Sequence, residues 1–404
     1  MTSKIKPVFK IVGIVVSLAL LGSIFYIRAW NETRNQRDKY TNFFVFWLAG
    51  DLILQGESPY DPEHWRAGHA ANGLDQPAEE IFLYPLPLAV LISPLGLLAY
   101  EQASLVWKIL SQTLLAVTIF LLINQWRRPA HERLFVPLVL ICLYFGPVLL
   151  TQRSGSIGAI TLLIVAVSIL LIQKQRWEFF SGFLLAFTML KPPQGLLILS
   201  LFGVWLLAGR NWKVIQGMIA GGIILWLIGA VVDLHWVAKF LQSGEAAFDR
   251  RLGLHSNVWS FSYLICEKNM ACTYALGGAG ALILLGLVGF YLWKKQVQVT
   301  AWEAMNLIIP IGFVSTVYLW AYDQILYVIP IIWIVGTVVF KTKSYVQAFL
   351  FLIVLDFYAF FAMGRLAEVE HDLWSFGNTL LVLAGVGAAY LFKEKPEKIK
   401  PART

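Results

Sequence analysis

Long apolar runs recur along the whole chain, as in residues 11–27 and 157–172. An α-helix needs about 20 predominantly apolar residues to cross the hydrocarbon core of a bilayer. Hydrophobic residues make up 58% of the sequence and charged residues only 14%, whereas soluble domains average about half and about a quarter. These features exclude a soluble domain, a disordered chain and a coiled coil. They predict an all-α polytopic membrane protein in which residues 1–404 form a single integral membrane domain.

The charged residues indicate how the chain crosses the membrane. Lysine and arginine outnumber aspartate and glutamate by 32 to 24, which gives a net charge of +8. The basic residues stand in short clusters between apolar runs, which is typical of cytoplasmic loops and unlike the continuous stripe that binds nucleic acid. We therefore expect a multi-pass protein of the cell membrane with both termini in the cytoplasm. The clusters are Lys4/Lys6/Lys10, Arg127/Arg128/Arg133, Lys174/Arg176, Arg210/Lys213, Lys294/Lys295, Lys341/Lys343 and residues 393–400.

Between these clusters the apolar runs come in pairs, so that each excursion leaves the cytoplasm and returns. Residues 84–98 do not fit, because crossing there would place Arg127 and Arg128 outside. Prolines break this segment, which indicates a re-entrant or interfacial piece and leaves about twelve spans. The alternative is thirteen spans with one violation of the charge rule. The outer segments are then residues 28–82, 151–156, 191–193, 233–273, 322–323 and 364–374.

The first outer loop, residues 28–82, is rich in acidic residues. Within it, residues 42–55 place aromatic and apolar side chains at helical spacing, which predicts an interfacial helix lying along the headgroup layer. A turn built from glycine and proline follows at residues 56–62. A carboxylate just above the membrane can serve as a general base for an acceptor hydroxyl. Most of these acidic residues are equally well explained as solvated surface charges.

Four motifs then resemble one enzyme family in their order along the chain. They read TNFFVFWLAGDLILQGESPYDP, LYPLPLAVLISPLGLL, FFSGFLLAFTMLKPPQGLLIL with the GRNWK cluster, and WAYDQILYVIP. Together they cover about residues 41–330 and resemble glycosyltransferase family 87. The resemblance implies a membrane enzyme of the C-type glycosyltransferase superfamily. It also implies polyprenyl-phosphate mannose as the donor and a glycolipid or glycan as the acceptor.

The chain departs from this family at the expected catalytic base. The family generally has an aspartate at the head of the first motif, and Asn42 occupies that position here. Asparagine cannot accept a proton at neutral pH. Asp38, one helical turn upstream, is the first substitute, and Asp61 and Asp51 follow. A second departure lies at residues 153–158, where many members carry Gly-Gln and this chain carries Gly-Ser.

Several other polar residues stand where they are costly and are therefore candidates for function. Lys191 interrupts a long apolar stretch, and a cation there can bind a lipid phosphate or simply extend to the headgroups. Asp323 and Gln324 follow an apolar run and are candidates for binding the sugar or the phosphate-side network. Tyr84 opens the proline-broken segment and is expected to shape the floor of the site. Lys191, Asp323, Gln324 and Tyr84 lie at predicted helix ends or turns, where polar residues are common for structural reasons alone.

The second outer loop, residues 233–273, combines cations, an imidazole and an aromatic ring. Arginine forks bind phosphate and tryptophan faces stack on sugars, which makes Arg250 and Arg251 phosphate candidates and His255 and Trp259 substrate candidates. Anchoring at the interface explains Trp259 equally well.

Three further groups are harder to assign. Cys266 and Cys272 lie in the second outer loop, where an oxidising exterior would let them pair. Asp356 is an acid inside an apolar run and needs a partner, for which Lys108 is a candidate.

Together these residues predict a hexosyltransferase that uses a lipid-linked donor at the outer face and inverts the anomeric centre. The enzyme is expected to contact membrane lipids. No cofactor or metal is expected, because cationic side chains can stabilise the negative charge of the departing phosphate. A transporter or lipid flippase is the alternative from another class, and it would show internal repeats. A catalytically silent relative that binds lipid-linked sugar is a third interpretation, which Asn42 favours.

Overall fold

A computed structural model of the 404-residue chain describes residues 27, 41–74, 81–125, 138–139, 142–342, 345–368 and 372–392. Regular structure in this part is helical throughout. The α-helices are α1 (Asn42–Leu54), α2 (Pro62–Ala71), α3 (Leu86–Gly96), α4 (Tyr100–Asn124), α5 (Gly146–Ser154), α6 (Gly158–Gln173), α7 (Glu178–Ala186), α8 (Pro192–Ala208), α9 (Trp212–Ala230), α10 (Trp236–Arg251), α11 (Val258–Ile265), α12 (Met270–Lys295), α13 (Ala301–Ser315), α14 (Val328–Thr342), α15 (Tyr345–Glu368) and α16 (Phe376–Phe392).

The helical class is confirmed, and six helical segments of the described residues are long and apolar enough to cross a membrane. Shorter apolar helices accompany them, including α1, α3, α6, α8 and α13. The count of about twelve spans therefore stays a prediction. The six segments are Tyr100–Asn124, Trp212–Ala230, Met270–Gln298, Ala321–Val339, Tyr345–Leu366 and Leu373–Leu391.

The proline-broken segment is short, as the sequence predicts. Helix α3 has 11 residues, which at about 1.5 Å per residue is roughly half the thickness of the hydrocarbon core. It packs closely on α1, because a Cβ atom added at Gly50 would lie 2.9 Å from the Cα of Ser93. A Cβ at Gly96 would lie 3.0 Å from the backbone nitrogen of Asp51. Glycine at both positions allows the two helices to approach.

Helix α1 begins at Asn42 as predicted, but its surroundings differ from the prediction. Residues 43–50 and Leu52 are all buried, whereas a helix resting on the headgroups would keep one face in water. The reason is in the sequence, since Phe43 to Leu48 are apolar at every position and leave no polar face. The protein encloses this helix from residue 43 to residue 50, and only the last turn reaches the surface.

The apolar stretch around Lys191 divides into two helices. Helix α7 passes into a 3₁₀ turn, Phe187–Leu190, and α8 starts at Pro192 immediately after Lys191. Pro192 and Pro193 cannot donate backbone hydrogen bonds, so the first helix ends before them and the second begins with them. Lys191 thus lies at a helix break.

The second outer loop is folded rather than extended. It contains α10 and α11, and Asn257 caps α11 by accepting a hydrogen bond from the Ser260 backbone N–H at 2.9 Å. Cys266 and Cys272 form a disulfide, a pairing that the sequence left open.

A non-helical stretch interrupts the chain between α13 and α14. Residues 316–320 are irregular, and a 3₁₀ helix, Ala321–Tyr327, precedes α14. We call residues 315–324 the hub. Irregular backbone at membrane depth is tolerated where protein buries it or where it lines a cavity. Most side chains of the hub are buried.

Candidate active site

A buried ion pair lies at the centre of the hub. The Lys191 Nζ contacts the Asp323 Oδ1, and the two side chains are only 3% and 1% exposed. The second oxygen of Asp323 accepts a hydrogen bond from the Trp320 backbone N–H at 3.1 Å. Both carboxylate oxygens are therefore engaged, and the Lys191 charge is compensated where water cannot reach it. The sequence singled out both residues, and the structure brings them together.

Tyr322 connects this pair to the rest of the site. The Lys191 Nζ lies 4.6 Å from the centre of the Tyr322 ring, which is a cation–π contact. The Thr151 hydroxyl donates to the Tyr322 carbonyl at 2.5 Å, and the Thr316 hydroxyl donates to the Pro193 carbonyl at 2.9 Å. The beginning of α8 and the end of α5 are thereby fixed to the hub.

Asn42 reaches the same place from the first helix. Its side chain lies within hydrogen-bonding reach of the Tyr322 hydroxyl, and its Oδ1 accepts a long hydrogen bond of 3.5 Å from the Tyr84 hydroxyl. The Tyr84 carbonyl accepts from the Tyr60 hydroxyl at 2.6 Å. Asn42 and Tyr84 thus contact each other beside Tyr322 of the hub, and the roles predicted for them in the reaction stay predictions.

The departure at residues 153–158 has a structural role beside Asn42. Gly155 ends α5 with a φ of +64°, which favours glycine. A Cβ there would lie 2.6 Å from the Cβ of Phe43. The Gly155 carbonyl accepts from the Trp107 indole at 2.9 Å, and the Trp107 ring stacks on Phe43 at 5.1 Å. This contact holds the beginning of α1 against α5.

The second outer loop closes another side of the hub. The His255 ring is fully buried and meets the rings of Tyr318 and Trp320 edge-on, with both centroid distances 4.8 Å. The Trp259 indole donates to the Ser315 carbonyl at 3.0 Å. His255 and Trp259 therefore contact the hub, and the substrate-binding roles predicted for them stay predictions.

Gln324 joins the hub to the last helix. Its side-chain nitrogen donates to the Ser375 carbonyl at 2.9 Å, and its oxygen accepts from the Asn378 side chain at 2.9 Å. The nitrogen and the oxygen of the Gln324 amide both bind the beginning of α16 or the residue before it. These bonds give Gln324 a structural role.

Sequence reasoning missed one residue of the site, Asp372. This carboxyl group is 1% exposed, and the Ser375 hydroxyl donates to its Oδ1. Its backbone N–H donates to the Leu254 carbonyl at 2.7 Å, next to His255. Burial, and to a smaller extent the charge of Asp323, raises the pKa of Asp372 to about 7, although the hydrogen bond from Ser375 acts in the opposite direction. No local pattern in the sequence indicated this environment.

Other candidate residues lie elsewhere. Asp61 caps α2, and its Oδ1 accepts from the backbone N–H groups of Glu63 at 2.8 Å and His64 at 3.2 Å. These bonds hold the pKa of Asp61 below its usual value. Asp38 lies outside the described residues, as do the side chains of Arg250 and Arg251 at the end of α10. The roles predicted for these three residues stay predictions.

The expected pairing of Asp356 with Lys108 is not seen. The Oδ1 of Asp356 is buried without a hydrogen-bond partner, and no ion pair joins these two residues within the described part of the chain. Asp356 lies on α15 and Lys108 lies on α4. Both residues interrupt apolar runs of the sequence, but this common feature does not bring their side chains together.

The geometry combines a buried cation, two carboxyl groups and several phenol rings around irregular backbone. A cation in such surroundings can stabilise charge that develops on a departing phosphate, and a carboxylate can take a proton.

Comparison with curated protein sequences gave no match. The family model of glycosyltransferase family 87 matches residues 82–316, which is more than half of the chain and includes Lys191, Thr151 and the second outer loop. The chain belongs to glycosyltransferase family 87.

Proposed function

We propose that this glycosyltransferase transfers a hexose, with mannose as the first candidate, from polyprenyl phosphate to an acceptor hydroxyl at the outer face of the cell membrane. The acceptor is a glycolipid or a glycan. The observation that carries the proposal is the buried Lys191–Asp323 pair beneath Tyr322. It places a lysine ammonium inside an apolar protein at a break between helices. In this proposal the lipid donor approaches it laterally from the bilayer.

Two features support a lipid-linked donor over a nucleotide sugar. Among the described residues, the connections that carry basic residues are short, as in residues 174–177 and 209–211, and these connections leave no room for a nucleotide-binding fold. The segments that meet at the hub include the second outer loop with its disulfide, Cys266–Cys272. Disulfides form in oxidising compartments, which supports a site on the side opposite the cytoplasm.

The reaction in this proposal is a single displacement. The acceptor oxygen forms a bond to C1 of the sugar as a carboxylate takes its proton, and the bond from C1 to the phosphate oxygen breaks. Lys191 stabilises the negative charge on the departing polyprenyl phosphate, which removes the need for a metal ion. Attack opposite the leaving group inverts the anomeric centre.

Radiolabelled polyprenyl-phosphate mannose tests the proposal in membranes that contain the protein. We expect transfer by the unaltered chain and a loss of about 100-fold or more in Lys191→Met, because an electrostatic contact to the leaving group is removed. Lys213→Met is the matched control, since Lys213 is largely exposed at the beginning of α9. Equal transfer by both variants would contradict the role of Lys191.

A catalytically silent relative is the second candidate, and Asn42 is the observation that favours it. An amide at the head of the first motif cannot accept a proton, although it lies among hydroxyl groups of the site. If the protein only binds lipid-linked sugar, membranes will retain labelled donor without transfer. Asn42→Asp would then introduce transfer.

A further inference from the structure

The proposed reaction requires a carboxylate with an unoccupied oxygen, because Asn42 cannot take a proton. Asp323 does not provide one, since Lys191 and the Trp320 N–H engage its two oxygens. Asp61 caps α2 through its Oδ1 and is not part of the hub. The described part of the site contains one further carboxyl group, Asp372.

Asp372 has the required oxygen. The Ser375 hydroxyl donates to Oδ1, whereas Oδ2 is buried and has no hydrogen-bond partner. The Ala321 backbone N–H approaches the carboxyl group, two residues before Asp323. The free oxygen therefore belongs to the hub and not to a separate region of the protein.

We propose that Asp372 is the general base of this enzyme, accepting through Oδ2 the proton of the acceptor hydroxyl. This inference rests on the proposed function. As the acceptor oxygen bonds to C1, its proton passes to Oδ2, and the bond between C1 and the phosphate oxygen breaks with its electron pair going to the phosphate. Water later removes the proton from Asp372, which restores the carboxylate.

The environment suits this task. A base works best when its pKa lies near the working pH, and burial raises the pKa of Asp372 to about 7. Asp323 of the hub raises the pKa of Asp372, and His255 follows Leu254, whose carbonyl accepts from the Asp372 N–H. Two titratable side chains of α15 contact Trp374, two residues after Asp372. The Arg365 guanidinium lies 5.5 Å from the Trp374 ring, and the Tyr358 hydroxyl donates to the Trp374 carbonyl.

The neighbouring segment provides groups for an acceptor. The segment of residues 252–257 contacts Asp372, whose backbone N–H donates to the Leu254 carbonyl. Ser256 Oγ and Asn257 Nδ2 in the same segment are buried without hydrogen-bond partners. An acceptor sugar carries hydroxyls that satisfy both a donor and an acceptor.

The dependence of kcat/KM on pH tests the proposal in membranes given polyprenyl-phosphate mannose. In the unaltered protein the rate should rise with pH through a value near 7, because the carboxylate form is the active one. Asp372→Asn should lower the rate by about 100-fold to 10,000-fold and abolish this rise. Asp372→Glu should restore part of the rate. Asp356→Asn is the matched control, because Asp356 is a half-buried acid on α15, and this change should leave the profile unchanged.

Ser375→Ala separates a catalytic role from a structural one. Loss of the hydrogen bond to Oδ1 destabilises the carboxylate, so the rise should move to higher pH by about one unit. This readout also serves if Asp372→Asn does not fold. A profile that Asp372→Asn and Ser375→Ala leave unchanged overturns the proposal.

Asp38→Asn distinguishes the two candidate bases. If Asp38→Asn loses the rise of kcat/KM with pH and Asp372→Asn keeps it, Asp38 is the base. This result overturns the role of Asp372 and leaves the proposed function intact. An unaltered protein that transfers no sugar from the lipid donor overturns the proposed function and this role with it.

Discussion

Lys191 and Asp323 form a buried ion pair although 132 positions separate them in the sequence. The first lies at the break between α7 and α8, and the second lies in the 3₁₀ helix that precedes α14. The pair therefore fixes two broken helices to each other. It also places the positive charge of Lys191 beside Tyr322 and within the hub.

Replacing one residue of the Lys191–Asp323 pair should destabilise the protein more, for each residue changed, than replacing both. Lys191→Met or Asp323→Leu leaves one charge buried without a partner, which costs about 3–5 kcal/mol of unfolding free energy. The double variant should lose clearly less than the sum of the two. Unfolding in detergent followed by tryptophan fluorescence measures the difference, with Lys213→Met as the exposed control. Strictly additive losses would contradict a direct interaction.

Gly155 should be irreplaceable where it meets α1. Gly155→Ala introduces a Cβ 2.6 Å from that of Phe43 at a φ of +64°, which costs about 1–3 kcal/mol and displaces the beginning of α1 with Asn42. We expect reduced thermal stability together with reduced transfer. Gly203→Ala is the matched control, because nothing lies within 4 Å of a Cβ there. An unchanged Gly155→Ala protein would show that the two segments are not in close contact.

The sequence predicts several residues of the candidate site, but it does not predict which of them contact each other. Lys191 and Asp323 were conspicuous because a charge in apolar surroundings is rare. Their pairing depends on how α5, α8 and the hub pack, which no local pattern encodes. Asp372 was missed because Glu368, Glu370 and His371 precede it, and such a run usually marks a solvated turn. Its burial arises from contact with Leu254.

The burial of α1, by contrast, is indicated by the sequence, and the prediction of a surface helix misinterprets this pattern. Aromatic residues at helical spacing suggested a helix lying on the membrane surface. The unbroken apolar run from Phe43 to Leu48 is better explained by a helix that is enclosed on every side.

Asp61 should act on stability and not on transfer. Its carboxylate accepts two backbone hydrogen bonds at the beginning of α2, so Asp61→Ala should lower the melting temperature by only about a degree or two. Because the folded state lowers the pKa of Asp61, this contribution is present near neutral pH and is lost in acid below about pH 4. Melting curves at pH 7 and pH 3 measure it. A large loss of transfer in Asp61→Asn at normal stability would instead identify it as the base.

The hub and the basic clusters should lie on opposite sides of the membrane. Glu245→Cys on α10 is exposed, and so is Val297→Cys after α12, where the side chain is 96% exposed. A membrane-impermeant thiol reagent added to intact cells should label the first variant and not the second. The native Cys142 is buried and gives little background. Labelling of Val297→Cys alone would reverse the topology and contradict a site at the outer face.

A lipid phosphate should bind beside Lys191 and the hub. A polyprenyl phosphate that carries a photoactivatable group next to its phosphate should crosslink to residues 191–194 or 316–324, as located by mass spectrometry. Unlabelled polyprenyl-phosphate mannose should compete, a nucleotide sugar should not, and Lys191→Met should abolish the adduct while Lys213→Met keeps it. Adducts confined to other segments, or unchanged in Lys191→Met, would contradict the proposed site.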